Sequence, residues 1–203
     1  MKMKLYCSPT SPYVRKVRVI AAELGLSDQI EEIEVDPHAS PSELLALNPL
    51  SKIPVLVTER DEVLPDSNLI IEYLLTRGRG IEGLPRGSAR WDALRYQVTA
   101  DGVIDAAVAT TMERRRPESI VYMAWLDRQA ALITRSLDVL ETAVPSFSLE
   151  APSVVEISVG VALGYLDLRM PYLEWRNGRE ALTNWYTQFS QRESMLRSAP
   201  PAP

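Results

Sequence analysis

The distribution of glycine divides this chain of 203 residues into two parts. Four of its nine glycines, together with Pro85, fall within the ten residues 78–87. Such a shift in composition is typical of a linker, because glycine and proline interrupt both helices and strands. We therefore expect one domain over residues 1–77, a linker over 78–87 and a second domain over 88–203.

The first part alternates between strand and helix patterns. "KLYC" and "IEEIEV" predict strands, and the apolar residues between them recur at helical spacing until Gly25, which predicts a helix. "SPSELLALN" predicts a short helix, "IPVLV" and residues 62–64 predict strands, and "DSNLIIEYLL" predicts a further helix. The predicted order is therefore βαβ, α, ββα.

The second part has helical patterns throughout. Trp91, Leu94 and Val98 begin one stripe, and Pro117 is expected to start the next helix. Ser153 and Glu156 have the spacing of a capping box before the apolar run "SVVEISVGVALGYLDL". We interpret this run as a buried helix, although its β-branched residues leave a strand open. "REALTNWYTQFSQR" predicts a last helix.

Composition narrows the functional classes. A net charge of −5 argues against a nucleic-acid partner, and no apolar run approaches the ~20 residues of a membrane span. With one histidine and one cysteine, the chain has too few ligands for a metal site of several His or Cys. It also lacks the glycine motifs of nucleotide-binding loops and of serine hydrolases. One cysteine and no N-terminal apolar segment lead us to expect a cytoplasmic protein.

Four segments carry a resemblance to a known family. "SPTSPYVRKVRV", "NPLSKIPVLV", "LPDSNLIIEYL" and "SVVE" occur in the order and approximate spacing of cytosolic glutathione transferases. The chain resembles the bacterial, serine-type members related to the theta and zeta classes. This resemblance implies an α/β thioredoxin-like N-terminal domain that binds glutathione and an all-α C-terminal domain with the electrophile pocket. It further implies a homodimer with a role in detoxification.

The resemblance also implies which residues bind glutathione. The Ile53-Pro54 peptide bond is expected to be cis, with the Ile53 N–H and C=O pairing with the cysteinyl part of the ligand. Lys52 and His38 are candidates for its glycine carboxylate. His38 is the weaker candidate, because its distance from Asn48 differs by one residue from the spacing expected for theta-like members.

Asp66 and Ser67 begin a predicted helix, and both residue types are good N-caps. The simplest interpretation is that they only cap this helix. A helix N-terminus also offers free N–H groups and a positive dipole end. By the resemblance, Ser67 would bind the γ-glutamyl carboxylate there, and Asp66 or an acid of a partner subunit would face the ammonium.

Ser11 is the expected catalytic residue. Since Pro12 suits a first helical position, Ser11 is the predicted N-cap, with its oxygen accepting from the backbone and its proton free for the ligand's sulfur. A serine cannot act as a base here, but its hydroxyl can donate to a thiolate and favour the charged form. Cys7, Ser8 and Thr10 remain alternatives.

The second domain leaves the electrophile unidentified. Asp101 and Asp105 share a helical face, which is most simply a solvated one, although by analogy an acid there reaches glutathione's ammonium across a dimer interface. The basic run 113–116 is solvated or gives the pocket a preference for anionic electrophiles.

The expected activity is conjugation of glutathione to a small hydrophobic electrophile. The alternatives are a thiol-disulfide reductase or peroxidase on the same fold, and a non-catalytic glutathione-binding protein.

Overall fold

The computed structural model describes residues 2–81 and 83–201. They form two compact units: the first comprises the described residues up to Gly83 and those from Glu193 onward, and the second comprises Leu84–Arg192. Residue 82 of the predicted linker, and residues 1, 202 and 203 at the chain ends, lie outside the described residues. No helix in the described part is long and apolar enough to cross a membrane.

The first unit contains a four-stranded mixed sheet covered by helices. Its strands occur in the order β2-β1-β3-β4, with β1 and β2 parallel and the other pairs antiparallel. This confirms the predicted order of elements and the thioredoxin-like fold class. The elements are β1 (Met3–Cys7), α1 (Pro12–Glu23), β2 (Ile30–Glu34), α2 (Ser42–Leu47), β3 (Val55–Val57), β4 (Val63–Pro65) and α3 (Ser67–Leu75).

Helix α1 shows why the sequence folds this way locally. Ser11 caps its N-terminus and Pro12 occupies its first position, where the missing N–H removes no helical hydrogen bond. Val14, Val17 and Ile20 recur at helical spacing and are fully buried. The helix ends before Gly25, whose φ of 70° lies in the left-handed region that glycine tolerates.

Glycines in the predicted linker lie against the end of α1. A Cβ atom at Gly80 would lie 2.2 Å from the Glu23 carbonyl oxygen, and its φ of 143° is strained for other residues. A Cβ atom at Gly78 would lie 2.6 Å from the Leu24 Cβ. The backbone therefore passes too close to α1 at these positions for any side chain.

The described residues of the second unit form four α-helices. Helix α6 begins with the predicted capping box, in which Glu156 accepts from the Ser153 backbone N–H at 2.9 Å. Every residue from Val154 to Leu166 is buried, so this run is a core helix and not a strand. The helices are α4 (Ala89–Glu113), α5 (Met123–Ala143), α6 (Val154–Arg169) and α7 (Glu180–Phe189).

The predicted helix start at Pro117 is wrong. Pro117 precedes a single 3-10 turn, and α5 begins only at Met123. The backbone of Tyr122 is extended, and its N–H donates to Glu113 Oε1 at 3.0 Å. This contact links the end of α4 to the residue before α5 and keeps Tyr122 extended, so the helix begins only after it.

The end of the chain packs on the first unit, whereas the sequence assigned it to the helical domain. Helix α8 (Glu193–Arg197) lies on α1, and Met195 is 1% exposed. The Arg15 guanidinium donates to the Met195 carbonyl at 3.1 Å, and the Ser194 hydroxyl donates to Glu23. These contacts attach both ends of α1 to the C-terminal segment.

Candidate active site

The predicted site residues converge on one edge of the sheet. Tyr6 near the end of β1 pairs with Val55 at the start of β3, and Val55 also pairs with Pro65 at the end of β4. The loops that follow β1 and β4 and the loop that precedes β3 therefore leave the sheet at the same edge. These loops carry Ser11, Ile53-Pro54 and Asp66-Ser67, the residues selected from the sequence.

Ser11 lies at the N-terminus of α1, where its hydroxyl oxygen accepts one hydrogen bond and its hydroxyl proton is left to donate another. The Val14 N–H donates to Ser11 Oγ at 3.3 Å, which makes the side chain the N-cap. Among the residues that the structure describes, no acceptor receives the hydroxyl proton. Ser8 and Thr10 lie half-buried in the preceding loop and do not cap the helix. Ser11 is thus a helix cap that can still donate one hydrogen bond.

The Ile53-Pro54 peptide bond is cis, as the resemblance implied. The Ile53 side chain packs against the buried cluster of Tyr6, Leu44 and Val55, which fixes the residue at the sheet edge. Strand β3 begins only at Val55, and within the described part of the chain Ile53 makes no backbone hydrogen bond. Its N–H and C=O are therefore available to an extended ligand.

Asp66 and Ser67 begin α3 directly beside Pro54. The Asp66 N–H donates to the Pro54 carbonyl at 3.3 Å, and its carboxylate accepts from the Asn68 N–H at 2.8 Å. Asp66 has φ 79° and ψ 137°, a conformation that costs a non-glycine residue about 1–3 kcal/mol and clusters at functional sites. Ser67 is 3% exposed, and its hydroxyl oxygen, which is not fully buried, takes part in no hydrogen bond between described residues.

Lys52 and His38 occupy neighbouring loops at the same edge, and both side chains are exposed. The Asn48 side chain donates to the Lys52 carbonyl at 2.9 Å, which shapes the loop before Ile53. The Ser51 hydroxyl donates to the Pro37 carbonyl at 3.0 Å, so this loop is tied to the turn that carries His38. The two candidates for the glycine carboxylate are thus held on connected loops.

Cys7 is a structural residue. It is 2% exposed at the end of β1, and burial raises the pKa of its thiol to about 11, with the Glu32 carboxylate acting in the same direction. The thiol donates to Glu32 Oε2 at 3.7 Å. A cysteine that acts as a nucleophile needs a lowered pKa and access to its substrate. Cys7 has neither property.

Asp101, Asp105 and the basic run 113–116 lie on and just after α4, in the second unit. Asp101 is half-buried and Asp105 is exposed. Arg116 pairs with Glu113 at 3.1 Å, and the Arg114 guanidinium lies 4.6 Å from the centre of the Tyr172 ring. A role for these residues in binding glutathione or the electrophile stays a prediction.

Lys16 belongs to the site and was missed by sequence reasoning. It is fully buried on α1, and its Nζ donates to Asn68 Oδ1 at 2.9 Å. The contact joins the second turn of α1 to the first turn of α3, the two helices that begin at the site. The available signal was its position four residues before Ile20 and four after Pro12, on the buried face of α1.

Comparisons with known proteins cover nearly the whole chain. Residues 10–77 match the "Glutathione S-transferase, N-terminal domain" family, and residues 123–188 match the corresponding C-terminal domain. A relative from Escherichia coli K12, the "Uncharacterized GST-like protein YibF", is 35% identical over 202 residues, covering 98% of this chain and 99% of the relative.

A solved structure and a partial relative extend the comparison. The structure of a glutathione transferase family member from Pseudomonas fluorescens Pf-5, with bound glutathione, is 40% identical with a TM-score of 0.92. It covers 99% of this chain and 100% of its own. The "Stringent starvation protein A homolog" of Pasteurella multocida is 40% identical over 128 residues, which cover 57% of this chain and 59% of that protein.

Proposed function

The chain belongs to the glutathione S-transferase family, and on that premise we propose that it binds glutathione and conjugates it to a small apolar electrophile. The observation that carries the proposal is the meeting of three features at one sheet edge. These are the hydroxyl proton of Ser11, the backbone N–H and C=O of Ile53 and the hydroxyl of Ser67, none of which has a hydrogen-bond partner among the described residues.

Each part of glutathione has a chemical partner at this edge. The γ-glutamyl carboxylate binds at the start of α3, where Ser67 offers its hydroxyl and N–H at the positive end of the helix dipole. The Asp66 carboxylate lies beside it and faces the ligand's ammonium. The Ile53 N–H and C=O pair with the cysteinyl backbone, as an added strand would. Lys52, with His38 on the connected loop, attracts the glycine carboxylate.

Catalysis then needs a thiolate and an electrophile. The thiol loses its proton to solvent, and the Ser11 hydroxyl donates a hydrogen bond to the resulting sulfur anion, which lowers the thiol's pKa. The sulfur attacks the electrophilic carbon, a carbon–sulfur bond forms, and the leaving group departs with its electron pair. Ser11 remains protonated throughout, since it stabilises the charge and does not remove the proton.

Glutathione titration by calorimetry tests this proposal, with product formation from an aryl halide as the second measurement. Ser67→Ala should weaken glutathione binding by about 10-fold or more, because a hydrogen bond to a charged group contributes about 1.5–3 kcal/mol. Ser42→Ala is the matched control, since Ser42 is also the first residue of a helix but is exposed. Wild-type protein that binds no glutathione at millimolar concentration would exclude the proposal.

A non-catalytic role is the second candidate, because one relative of this chain, the "Stringent starvation protein A homolog", is named for starvation and not for a transferase activity. Such a protein would bind glutathione at the same edge yet form no conjugate with any of a panel of electrophiles. A thiol-disulfide reductase is less well supported, because Cys7 is buried with a raised pKa. Mass spectrometry that finds a glutathione disulfide at Cys7 would reverse this order.

We also propose that the protein forms a homodimer. Trp91 and Val98 are seven residues apart on α4, share one face, and are 71% and 67% exposed. In the first unit, Leu50 is 70% exposed and Leu69 is 47% exposed. Large exposed apolar side chains that share a helix face are typical of a protein–protein interface.

A further inference from the structure

Lys16 is an unusual residue for the interior of this fold. Its side chain is fully buried on α1, where the neighbouring buried residues Val14, Val17 and Ile20 are apolar. Lysine is almost never fully buried in a protein, because removing an ammonium from water is costly unless polar groups receive it. A buried lysine therefore needs a reason beyond packing.

The reason lies in what the ammonium contacts. Nζ donates to Asn68 Oδ1 at 2.9 Å, and Asn68 is the second residue of α3, directly after Ser67. The Asn68 N–H in turn donates to the Asp66 carboxylate at 2.8 Å. One chain of hydrogen bonds thus runs from α1 to Asp66, the strained residue that caps α3.

The charge of Lys16 lies where two helices begin. Lys16 is in the second turn of α1, which starts with the Ser11 cap, and it contacts the first turn of α3. Helix N-termini carry a partial positive charge that falls off within about one turn. The Lys16 ammonium therefore adds positive charge beside two helix starts that already favour anions.

We propose that Lys16 is a positioning residue for glutathione, which holds the start of α3 against α1 and favours the two anions that the ligand places at these helix starts. The inference rests on the proposed function, since it assigns the carboxylate to Ser67 and the thiolate to Ser11. Lys16 acts through Asn68 and through its field, and it does not touch the reacting atoms.

The size of the field effect follows from covalent geometry. Through the Asn68 side chain and one peptide step, Nζ lies at most about 12 Å from Ser67 Oγ. At an effective dielectric constant of about 20, a unit positive charge at this distance strengthens the binding of a carboxylate at Ser67 by about 10-fold. Salt reduces the effect, since the Debye length is about 10 Å at 0.1 M ionic strength.

The experiment compares Lys16→Met with wild type at low salt. We expect glutathione to bind about 3- to 10-fold more weakly and the pKa of its bound thiol to rise by about 0.5–1, as read from thiolate absorbance against pH. The pH profile of kcat/KM for an aryl halide should move to higher pH by the same amount. Lys16→Arg, which keeps the charge, should restore the profile, and a loss of packing alone would not move it.

Two further variants keep the outcome decisive. Lys16→Gln retains an N–H donor for Asn68 but no charge, and it replaces Lys16→Met if that variant does not fold. Lys4→Met removes the charge of an exposed lysine on β1 of the same unit and should leave all three measurements unchanged. Folded Lys16→Met or Lys16→Gln with wild-type affinity and thiol pKa would overturn the inference. Wild type that binds no glutathione would instead overturn the proposed function.

Discussion

Replacing Ser11 with alanine separates its two roles. The substitution removes the oxygen that accepts from the Val14 N–H at 3.3 Å, a cap whose loss costs about 1 kcal/mol of helix stability. It also removes the hydroxyl proton, which no described residue accepts and which the proposed mechanism gives to the thiolate. A hydrogen bond to a charged group contributes about 1.5–3 kcal/mol.

That range sets the expected result. The pKa of the bound glutathione thiol should rise by about 1–2, and kcat/KM for an aryl halide should fall by about 10- to 150-fold. Thiolate absorbance measured against pH reports the first quantity without depending on turnover. Steady-state kinetics at a pH below the new pKa report the second.

Two controls isolate the hydroxyl from the cap. Ser11→Thr keeps both a capping oxygen and a hydroxyl proton, so it should retain most of the activity. Ser153→Ala removes the comparable cap of α6 in the other unit, and should lower stability without moving the thiol pKa. Unchanged thiol pKa and turnover in Ser11→Ala would refute the assignment and direct attention to Ser8 and Thr10.

Three further predictions use features outside the site. Met195→Ala should lower the free energy of unfolding by about 2–5 kcal/mol in urea titrations, because Met195 is buried. The control, Leu196→Ala, changes an exposed neighbour and should alter the free energy of unfolding by less than about 0.5 kcal/mol. Equal effects would contradict the packing of α8. At pH 8, iodoacetamide should alkylate Cys7 about 100-fold more slowly in native than in urea-unfolded protein. The reason is that a thiol pKa of about 11 in the native protein leaves little thiolate. Equal alkylation rates would disprove the raised pKa. In sedimentation experiments, Trp91→Glu with Val98→Glu should shift the protein from dimer to monomer, and an unshifted dimer would place the interface elsewhere.

The local elements were predictable because their signals are local. Ser11-Pro12 and Ser153 with Glu156 lie within one helical turn of the groups they cap, so their spacing alone indicates a helix start. The strands of the first unit were found in the same way, from alternation over a few residues. The family resemblance then supplied the cis bond at Ile53-Pro54, which no local pattern indicates.

The remaining features depend on partners far along the chain. Lys16 contacts Asn68, which is 52 residues away, and Arg15 contacts Met195, which is 180 residues away. Periodicity reports which face of a helix is buried but not what covers it. The predicted helix start at Pro117 was wrong for a related reason. The Glu113 side chain accepts from the N–H of Tyr122, nine residues away, and α5 begins only after that residue. The preference of proline for a first helical position does not reveal this contact.

The docking of α8 on α1 has a consequence for synthesis in the cell. Residues 2–81 leave the ribosome before the second unit, but the unit they form is complete only when Met195 is added, after the whole of Leu84–Arg192 has been made. At ~5–20 residues per second, that interval lasts about 5–20 seconds. Throughout it, the surface of α1 that Met195 later covers is open to other nascent chains and to chaperones. The segment that completes the first unit is therefore translated only after the whole of the second unit.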